Sequence, residues 1–395
     1  MASDITLTAA TRQSLLALQN TAASTANIQN QLATGKKVSS ALDNPISFFT
    51  AQALSQRSGD LASLLDGISN GVQSIQAANQ GITSIQKLVD QAKSVANQAA
   101  ATQITTAGSA SGVPTVLTAG ATLNLYKNGT AVPVTIAANS TIDTAITALN
   151  TALGAGTFTK STDGTKLVLN ASADIEFKTA ADQTGLGFST GTGTPANYGT
   201  TNTTVAQSGD LTVSGVSARA TLAKQYNSLL TQIDQLAQDS SFNGTNLIAG
   251  ASASNDMKIN FNPRGTSNLT VSSTDETSSG LKLNAIGGDS GTNVGLGNFL
   301  LNSDITTTLN SLTAASSQLR TDAATFGSNL SVVQNRQDFS NNVINILDTG
   351  SSNLTNADMN QAAASSQALS TRQSLGVSAL SLANTAQQGV LQLLR

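Results

Sequence analysis

Residues 305–347, ITTTLNSLTAASSQLRTDAATFGSNLSVVQNRQDFSNNVINIL, decide the fold of this chain. Their apolar residues alternate spacings of four and three over six heptads, and only three seam positions are polar. An unbroken four-three repeat predicts a helix that packs one stripe against a partner, as in a coiled coil. The seam positions are Ile305, Leu309, Leu312, Ser316, Leu319, Ala323, Phe326, Leu330, Val333, Gln337, Ser340, Ile344 and Leu347.

The partner is predicted to be a second long helix from Pro45 to about residue 100. Asn44 has the character of an N-cap, and proline is favoured at the first helical position because its missing N–H would be unpaired there anyway. We expect Asn79 to fill the seam position between Ile75 and Ile82. The apolar residues that should pack against residues 305–347 within one subunit are Ile68, Val72, Ile75, Ile82 and Val89.

Both chain ends are predicted to be helices with few charges, and both contain the pentapeptide TRQSL. Residues 1–35 carry only Asp4 and Arg12, whereas residues 351–395 carry only Asp358, Arg372 and Arg395. Uncharged polar side chains cost far less to bury than charges do, so such helices suit an environment of protein on all sides. We expect Leu15, Leu18, Leu32, Leu380, Leu391 and Leu394 to pack between subunits in the core of a polymer.

The middle of the chain changes to β structure rich in Gly and Thr. Alternating segments flank Asn128-Gly129 and Asp163-Gly164, which is the pattern of two β-hairpins, and a short helix capped by Ser140 or Thr141 lies between them. A helix follows over residues 219–240, then a turn at SFNGTNLIAG and a β-rich stretch at 255–285. The sequence therefore predicts an α+β fold, a long antiparallel helical rod from both termini with an inserted β-rich, hairpin–helix–hairpin outer domain.

This organisation predicts six segments along the chain. They are an N-terminal core helix and turn (1–44), an N-terminal rod helix (45–100), a variable outer domain (101–218), a segment of rod helix, turn and β-hairpin (219–302), a C-terminal rod helix (303–350) and a C-terminal core helix (351–395).

Composition excludes several classes of function. The 395 residues include no Cys, His or Trp, and the net charge is −3. The commonest ligands of zinc, iron and copper are therefore missing, and no disulfide can form. Without a basic surplus or an apolar run of about 18 residues, we expect neither nucleic-acid nor membrane partners. The first residues do not have the pattern of a cleaved secretory leader.

Several motifs, in order, resemble bacterial flagellin, the subunit of the flagellar filament. QLATGKKVSSALDNPISFFTAQAL (31–54) is similar to the family's turn between its first two helices, and residues 66–99 are similar to its rod helix. SFNGTNLI (241–248), residues 331–359 and ANTAQQGVLQLLR (383–395) match further family signatures. The resemblance implies a self-assembling, extracellular helical homopolymer for swimming, exported without a cleaved signal peptide. It also implies an export chaperone, cap and junction proteins as partners, with other flagellins possible in the filament.

The resemblance also bears on innate immune recognition. Family members that activate the vertebrate flagellin receptor carry an arginine-rich pattern in the rod helix. Aligned on IQKLVDQAK (85–93), this chain has Val89 at an arginine position and Gln91 at a leucine position. The resemblance therefore implies weak or no activation of that receptor.

Other functions compete with the filament subunit. A hook–filament junction protein shares flagellin-like ends, and a secreted adhesin with an adhesive outer domain is a further alternative. Separately, an exposed β domain rich in Ser and Thr also suits glycan attachment. GFSTG (187–191) fits a nucleophile-elbow pattern, but no histidine exists to activate Ser189. We therefore predict no enzyme activity, no cofactor and no metal site.

Overall fold

The computed structural model describes residues 9–191, 204–287 and 299–393. Its helices are α1 (Ala9–Thr34), α2 (Pro45–Ala101), α3 (Val116–Ala119), α4 (Ile142–Leu153), α5 (Ala180–Gly185), α6 (Val216–Asp239), α7 (Asn302–Thr355) and α8 (Met359–Leu393). Its strands are β1 (Thr105–Ser109), β2 (Ala121–Lys127), β3 (Thr130–Ile136), β4 (Phe158–Lys160), β5 (Leu167–Ala171), β6 (Ile175–Phe177), β7 (Leu211–Ser214), β8 (Ser241–Phe242), β9 (Thr245–Asn246), β10 (Met257–Asn260) and β11 (Asn268–Val271). The predicted α+β class, with long helices from both ends and a β-rich insert, is confirmed.

The chain forms two compact units. The terminal unit consists of Met1–Ser69, Asn260–Asn268 and Gln334–Arg395, and the central unit consists of Asn70–Ile259 and Leu269–Val333.

In the central unit, α2 and α7 run antiparallel. The Gln86 amide donates to Ser316 Oγ at 2.8 Å, whereas Lys93 Nζ, further along α2, reaches Thr313 Oγ1, earlier on α7, at 3.3 Å. Helix α6 adds a third apolar stripe to this core. Its fully or nearly fully buried members are Ala223, Tyr226, Leu230, Ile233 and Ala237.

The seam of α2 differs from the predicted one between Ile75 and Ile82. Ala78 is fully buried between Ile75 and Ile82, whereas Asn79 is only half-buried. The prediction that Asn79 fills this position was wrong. An alanine there keeps the three-four spacing and leaves no amide to satisfy in the apolar seam.

The short turn after α6 packs against α2. Asn243 and Gly244 both have positive φ, at 48° and 79°, which fits the tight loop between β8 and β9. The side chain of Asn246 closes the turn by donating to the carbonyls of Ala237 and Gln238. Gly81 of α2 faces this turn, because a Cβ there would overlap Ser240 Oγ and lie 2.7 Å from Ile248 Cδ1.

Residues 105–214 form a module with its own core inside the central unit. One sheet has the strand order β4-β5-β1-β7 and the other has the order β3-β2-β6. Both hairpins are at the predicted turns, and the Thr141 hydroxyl caps α4 by accepting from the backbone N–H of Thr144. Fully or nearly fully buried members of the module core include Leu123, Leu125, Leu149, Phe158, Leu169, Ile175, Phe177 and Phe188.

In the terminal unit, α1 packs against α8. The chain between α1 and α2 is tied to the end of α7, because the backbone N–H of Lys37 donates to Thr355 O at 2.7 Å and that of Ala357 donates to Gly35 O at 2.9 Å. Helices α2 and α7 are joined here by a hydrogen bond from the Gln337 amide to Ser69 Oγ at 2.9 Å.

Candidate functional site

Exposed apolar side chains concentrate on the terminal unit. Among the described residues, eleven of the thirteen large apolar side chains with substantial exposure belong to it. They are Leu15, Leu16, Leu42, Ile46, Phe49, Phe339, Ile346, Met359, Leu375, Val377 and Leu382. A concentration of exposed large apolar side chains on one part of a protein indicates an interaction site, so the terminal unit is the candidate functional site.

The turn before α2 presents part of this surface in a fixed conformation. The Asp43 carboxylate accepts from the backbone N–H groups of Ser40 and Ser39, both at 2.9 Å, and from both serine hydroxyls. These hydrogen bonds, led by the one from the Ser40 backbone, lower the pKa of Asp43. The ordered turn then displays Leu42, which is 95% exposed, and Ile46, which is 80% exposed.

The Asn44 cap positions the start of α2 as predicted. Asn44 Oδ1 accepts from the backbone N–H of Ser47 at 3.1 Å, and Pro45 is the first helical residue. The exposed ring of Phe49 follows one turn later and contacts Phe48 edge to face, with ring centroids 5.6 Å apart. The turn and the first helical turns of α2 therefore form one apolar projection.

The predicted polymer-core leucines lie on α1 and α8 in different environments. Leu15 is 41% exposed, whereas Leu18, Leu32 and Leu380 are half-buried. Leu18 packs against α8, since a Cβ added at Gly376 would lie 3.2 Å from Leu18 Cγ. Leu391 belongs to α8 but its side chain lies outside the described part of the structure, as does all of Leu394.

The predicted rod residues lie on the facing sides of the long helices. Ile68, Val72, Ile75, Ile82, Val89, Leu312, Leu319, Phe326 and Val333 are buried, whereas Leu309, Leu330, Ile344 and Leu347 are half-buried. Of the polar seam positions, Ser316 and Ser340 are buried and Gln337 is half-buried.

The sequence interpretation missed the exposed face of α7. Phe339 and Ile346 are 61% and 69% exposed, and they lie on the same side of the helix because they are seven residues apart. Phe339 and Ile346 both lie outside the four-three seam. Their seven-residue spacing is a second apolar pattern in the sequence, and it could have predicted this exposed face.

Two carboxyl groups of the central unit, those of Glu276 and Asp304, have raised pKa values because they are buried. Burial, and then the nearby Asp322 side chain, raise the pKa of Glu276 to about 8. Burial also raises the pKa of Asp304, although Ser303 Oγ donates to it at 3.2 Å. Neither group has an imidazole nearby, because the chain has no histidine.

The possible nucleophile-elbow motif is structural. The backbone N–H of Ser189 donates to Asp210 at 2.6 Å, and its hydroxyl lies 3.2 Å from Ser208 Oγ. Hydrogen bonds from Ser189 and Ser111 lower the pKa of Asp210, although burial, the largest single influence, opposes them. Asp210 therefore joins the loop at Ser189 to the start of β7 rather than activating a nucleophile.

Membrane-spanning and metal-binding features are not found within residues 9–191, 204–287 and 299–393. No helix in these ranges combines the length and hydropathy that a bilayer requires. Nor do three or more carboxylates gather there in the arrangement of a metal site.

Comparison with known proteins gives matches at both ends of the chain. The family model of the bacterial flagellin N-terminal helical region matches residues 5–112, and that of the C-terminal helical region matches residues 309–394.

The curated relatives are flagellins as well. Flagellin FljM of Caulobacter vibrioides is 32% identical over 176 residues, which is 44% of this chain and 59% of that protein. The flagellin of Brucella melitensis is 26% identical over 178 residues, 43% of this chain and 60% of that protein. Flagellin C of Rhizobium meliloti is 39% identical over 77 residues, 20% of this chain and 24% of that protein. The matches span at most about three fifths of these relatives.

The fold and the exposed apolar surface define a helical protein whose paired termini are built for contact with other protein. Both end regions match the models of the bacterial flagellin family and the curated relatives carry its name, so the chain is similar to bacterial flagellins at both ends.

Proposed function

We propose that this chain is the structural subunit of a flagellar filament. The observation that carries the proposal is the concentration of exposed apolar side chains on the terminal unit, where the two ends of the chain pair. Exposure of this apolar surface to water is unfavourable, and covering it with a neighbouring subunit lowers the free energy. The few charges of the terminal helices keep the cost of that burial low.

Growth of a filament requires heterologous contacts, in which one surface of a subunit binds a different surface of the next and the rotation does not close. Leu15, Leu18, Leu32, Leu380, Leu391 and Leu394 are proposed to face other subunits in the filament core. The exposed face of α7 and the projection at Leu42 are proposed to make lateral contacts.

The similarity to flagellins at both ends of the chain supports an extracellular location in the flagellar filament. We propose export without a cleaved leader, with a dedicated chaperone, a filament cap and junction proteins as partners, and other flagellins as possible co-subunits. A purely structural role without catalysis fits a family of structural proteins. Weak activation of the vertebrate receptor also remains our expectation, since Val89 is buried and Gln91 is exposed.

The test is seeded growth of purified monomer on short filament fragments, observed by electron microscopy in ammonium sulfate, which favours burial of apolar surface. Full-length protein should form long uniform filaments. Versions lacking residues 1–35 or 351–395 should not elongate, because each lacks one of the paired terminal helices.

Two results would contradict the proposal. Full-length protein that stays monomeric in the presence of seeds would exclude a filament subunit. Growth that stops after one layer would instead indicate the junction protein. A version lacking residues 105–214 serves as the deletion control, because it loses a larger segment and keeps both termini.

A further inference from the structure

A cavity of about 620 Å³ on the terminal unit combines three arginines with two aromatic rings. Arg57 comes from α2, Arg264 from the turn between β10 and β11, and Arg336 from α7. Phe261 and Phe339 supply the apolar part of its lining. We call this cavity the arginine pocket.

The pocket is held in shape before any ligand binds. Its turn is closed by a hydrogen bond from the Phe261 N–H to Ser267 O at 2.8 Å and by one from the Ser267 N–H to Asn262 Oδ1 at 3.2 Å. The Arg336 guanidinium lies 5.6 Å from the centre of the Phe261 ring, a cation–π contact that joins α7 to the turn. Little conformational freedom therefore remains to be lost on binding.

The positive charge of the pocket is not neutralised within the subunit. The only carboxylate in its lining is that of Asp60. In the ranges that the structure describes, the single ion pair is Lys160–Asp143, at 2.7 Å in the central unit, so none of the three arginines is paired with a carboxylate. Arginine presents planar N–H groups that match a carboxylate, and a charge-assisted pair of this kind is stronger than a neutral hydrogen bond.

The ligand must also cover apolar surface. Phe339, which lines the pocket, lies on the same exposed face of α7 as Ile346. A small free anion would pair with the arginines and leave these side chains in water. A protein surface that carries a carboxylate beside apolar side chains would satisfy both.

We propose that the arginine pocket is an intersubunit docking site that receives a carboxylate-bearing surface of a second copy of this chain. The inference rests on the proposed function, because a polymer places a second copy against every subunit. The chain itself offers suitable groups, since Asp66 and Asp348 are exposed and form no ion pair in the described residues. Steering by such charges accelerates association at low ionic strength.

The experiment measures the elongation rate of seeded filaments, in a low-salt buffer without sulfate, for Arg264→Glu, Arg264→Gln and a matched control, Lys178→Gln. Arg264 is exposed and forms no ion pair among the described residues, so we expect its substitution to leave folding of the monomer unchanged in circular dichroism. Lys178 is equally exposed and carries the same charge, but it lies in the 105–214 module. We expect Arg264→Gln to lower the rate constant about tenfold, Arg264→Glu to lower it further, and the control to match the wild type.

Varying the salt concentration distinguishes the loss of a charge pair from a general loss of contact. Wild-type elongation should slow between low and moderate NaCl concentration, whereas elongation of Arg264→Gln should depend less on salt, because the screened pair is already absent. Normal elongation of Arg264→Glu would overturn the docking site and leave the filament subunit intact. Failure of the wild type to elongate would instead overturn the proposed function. If the pocket binds sulfate but substitution of Arg264 leaves elongation unchanged, the pocket is a site for a free anion. That result would contradict the proposal.

Discussion

Glu276 shows how one side chain sets the pH dependence of stability. Its carboxyl is fully buried in the central unit, and burial together with the nearby Asp322 side chain raises its pKa from 4.5 to about 8. In the unfolded chain the group loses its proton near the lower value. Between these two values the folded state binds more protons than the unfolded state, so the stability contributed by the protonated group falls as the pH rises.

We therefore predict that thermal unfolding of the wild-type monomer shifts to lower temperature as the pH rises from about 4.5 to about 8. Glu276→Gln keeps a neutral side chain of the same size and should flatten this dependence, with the variant more stable than the wild type at the alkaline end. Asp239→Asn, at an exposed position, is the control and should leave the slope unchanged. An identical slope in wild type and Glu276→Gln would show that this carboxyl does not hold its proton.

Gly81 illustrates a position where side-chain size alone decides packing. A Cβ at this residue would overlap Ser240 Oγ and approach Ile248 Cδ1 of the turn after α6. We predict that Gly81→Val lowers the free energy of unfolding by about 1–3 kcal/mol, because the turn must move away from α2. Gly67→Val is the comparison, since a Cβ there meets no other atom within 4 Å and the change should cost little packing energy. Equal destabilisation of the two, in chemical denaturation, would contradict a steric cause.

At the scale of one helix, α7 has two apolar faces with different predicted roles. Phe326 is 2% exposed and belongs to the seam of the central unit, whereas Phe339 is 61% exposed on the terminal unit. We predict that Phe326→Ala lowers the free energy of unfolding of the monomer by about 3–5 kcal/mol. Phe339→Ala should leave monomer stability almost unchanged and slow seeded elongation.

Each phenylalanine variant serves as the control for the other, because both remove the same ring from the same helix. Urea denaturation of monomers and electron microscopy of seeded growth measure the two effects separately. A large loss of monomer stability in Phe339→Ala would mean that its ring packs within the subunit.

The elements that the sequence predicted are those specified by local pattern. The four-three repeat of α7, the Asn44–Pro45 start of α2 and the Asn128-Gly129 hairpin each follow from spacing or from one turn type. Strands β1 and β7 were missed because β1 pairs with β7 on one side and with β5 on the other, in both cases across long stretches of chain. Thr105–Ser109, the sequence TTAGS, has too few large apolar residues to signal a strand.

The candidate site was harder to predict than the fold. The scarcity of charged residues at both chain ends predicted that the termini contact other protein. The arginine pocket, by contrast, combines residues from α2, a β-turn and α7, which no local sequence pattern connects. Exposure of Phe339 is likewise a property of packing, since the sequence alone assigns no partner to a second apolar face.

At the scale of the whole molecule, filament growth is proposed to depend on the terminal unit, and the leucines near the C-terminus provide a direct test. We predict that Leu391→Ala combined with Leu394→Ala impairs seeded elongation, because losing a buried leucine costs about 2–5 kcal/mol and a polymer repeats the loss at every subunit. The central unit should remain folded, with an unchanged thermal transition. Filaments of normal length from this variant would contradict the assignment of these leucines to the core.

The 105–214 module is predicted to be dispensable for growth. It enters on β1 and leaves on β7, and Thr105 lies directly opposite Ser214 in the antiparallel register. Paired Cα atoms in such a ladder are only about 4.5–5.5 Å apart, so a short Gly-Ser linker can join Ile104 to Gly215. Gly215 must be kept, because its φ is +89° and a Cβ would overlap the carbonyl of Gln103.

The excised chain should elongate on seeds at close to the wild-type rate, and the isolated module should give a cooperative unfolding transition, because its buried apolar residues contact one another. A longer deletion that begins at Ala96 is the control, since it also removes the buried seam residues Ala96 and Ala99 of α2 and should destabilise the central unit. If the precise excision folds normally but cannot elongate, the module itself contributes a contact between subunits. Assembly would then not be confined to the terminal unit, and the exposed apolar surface would account for only part of it.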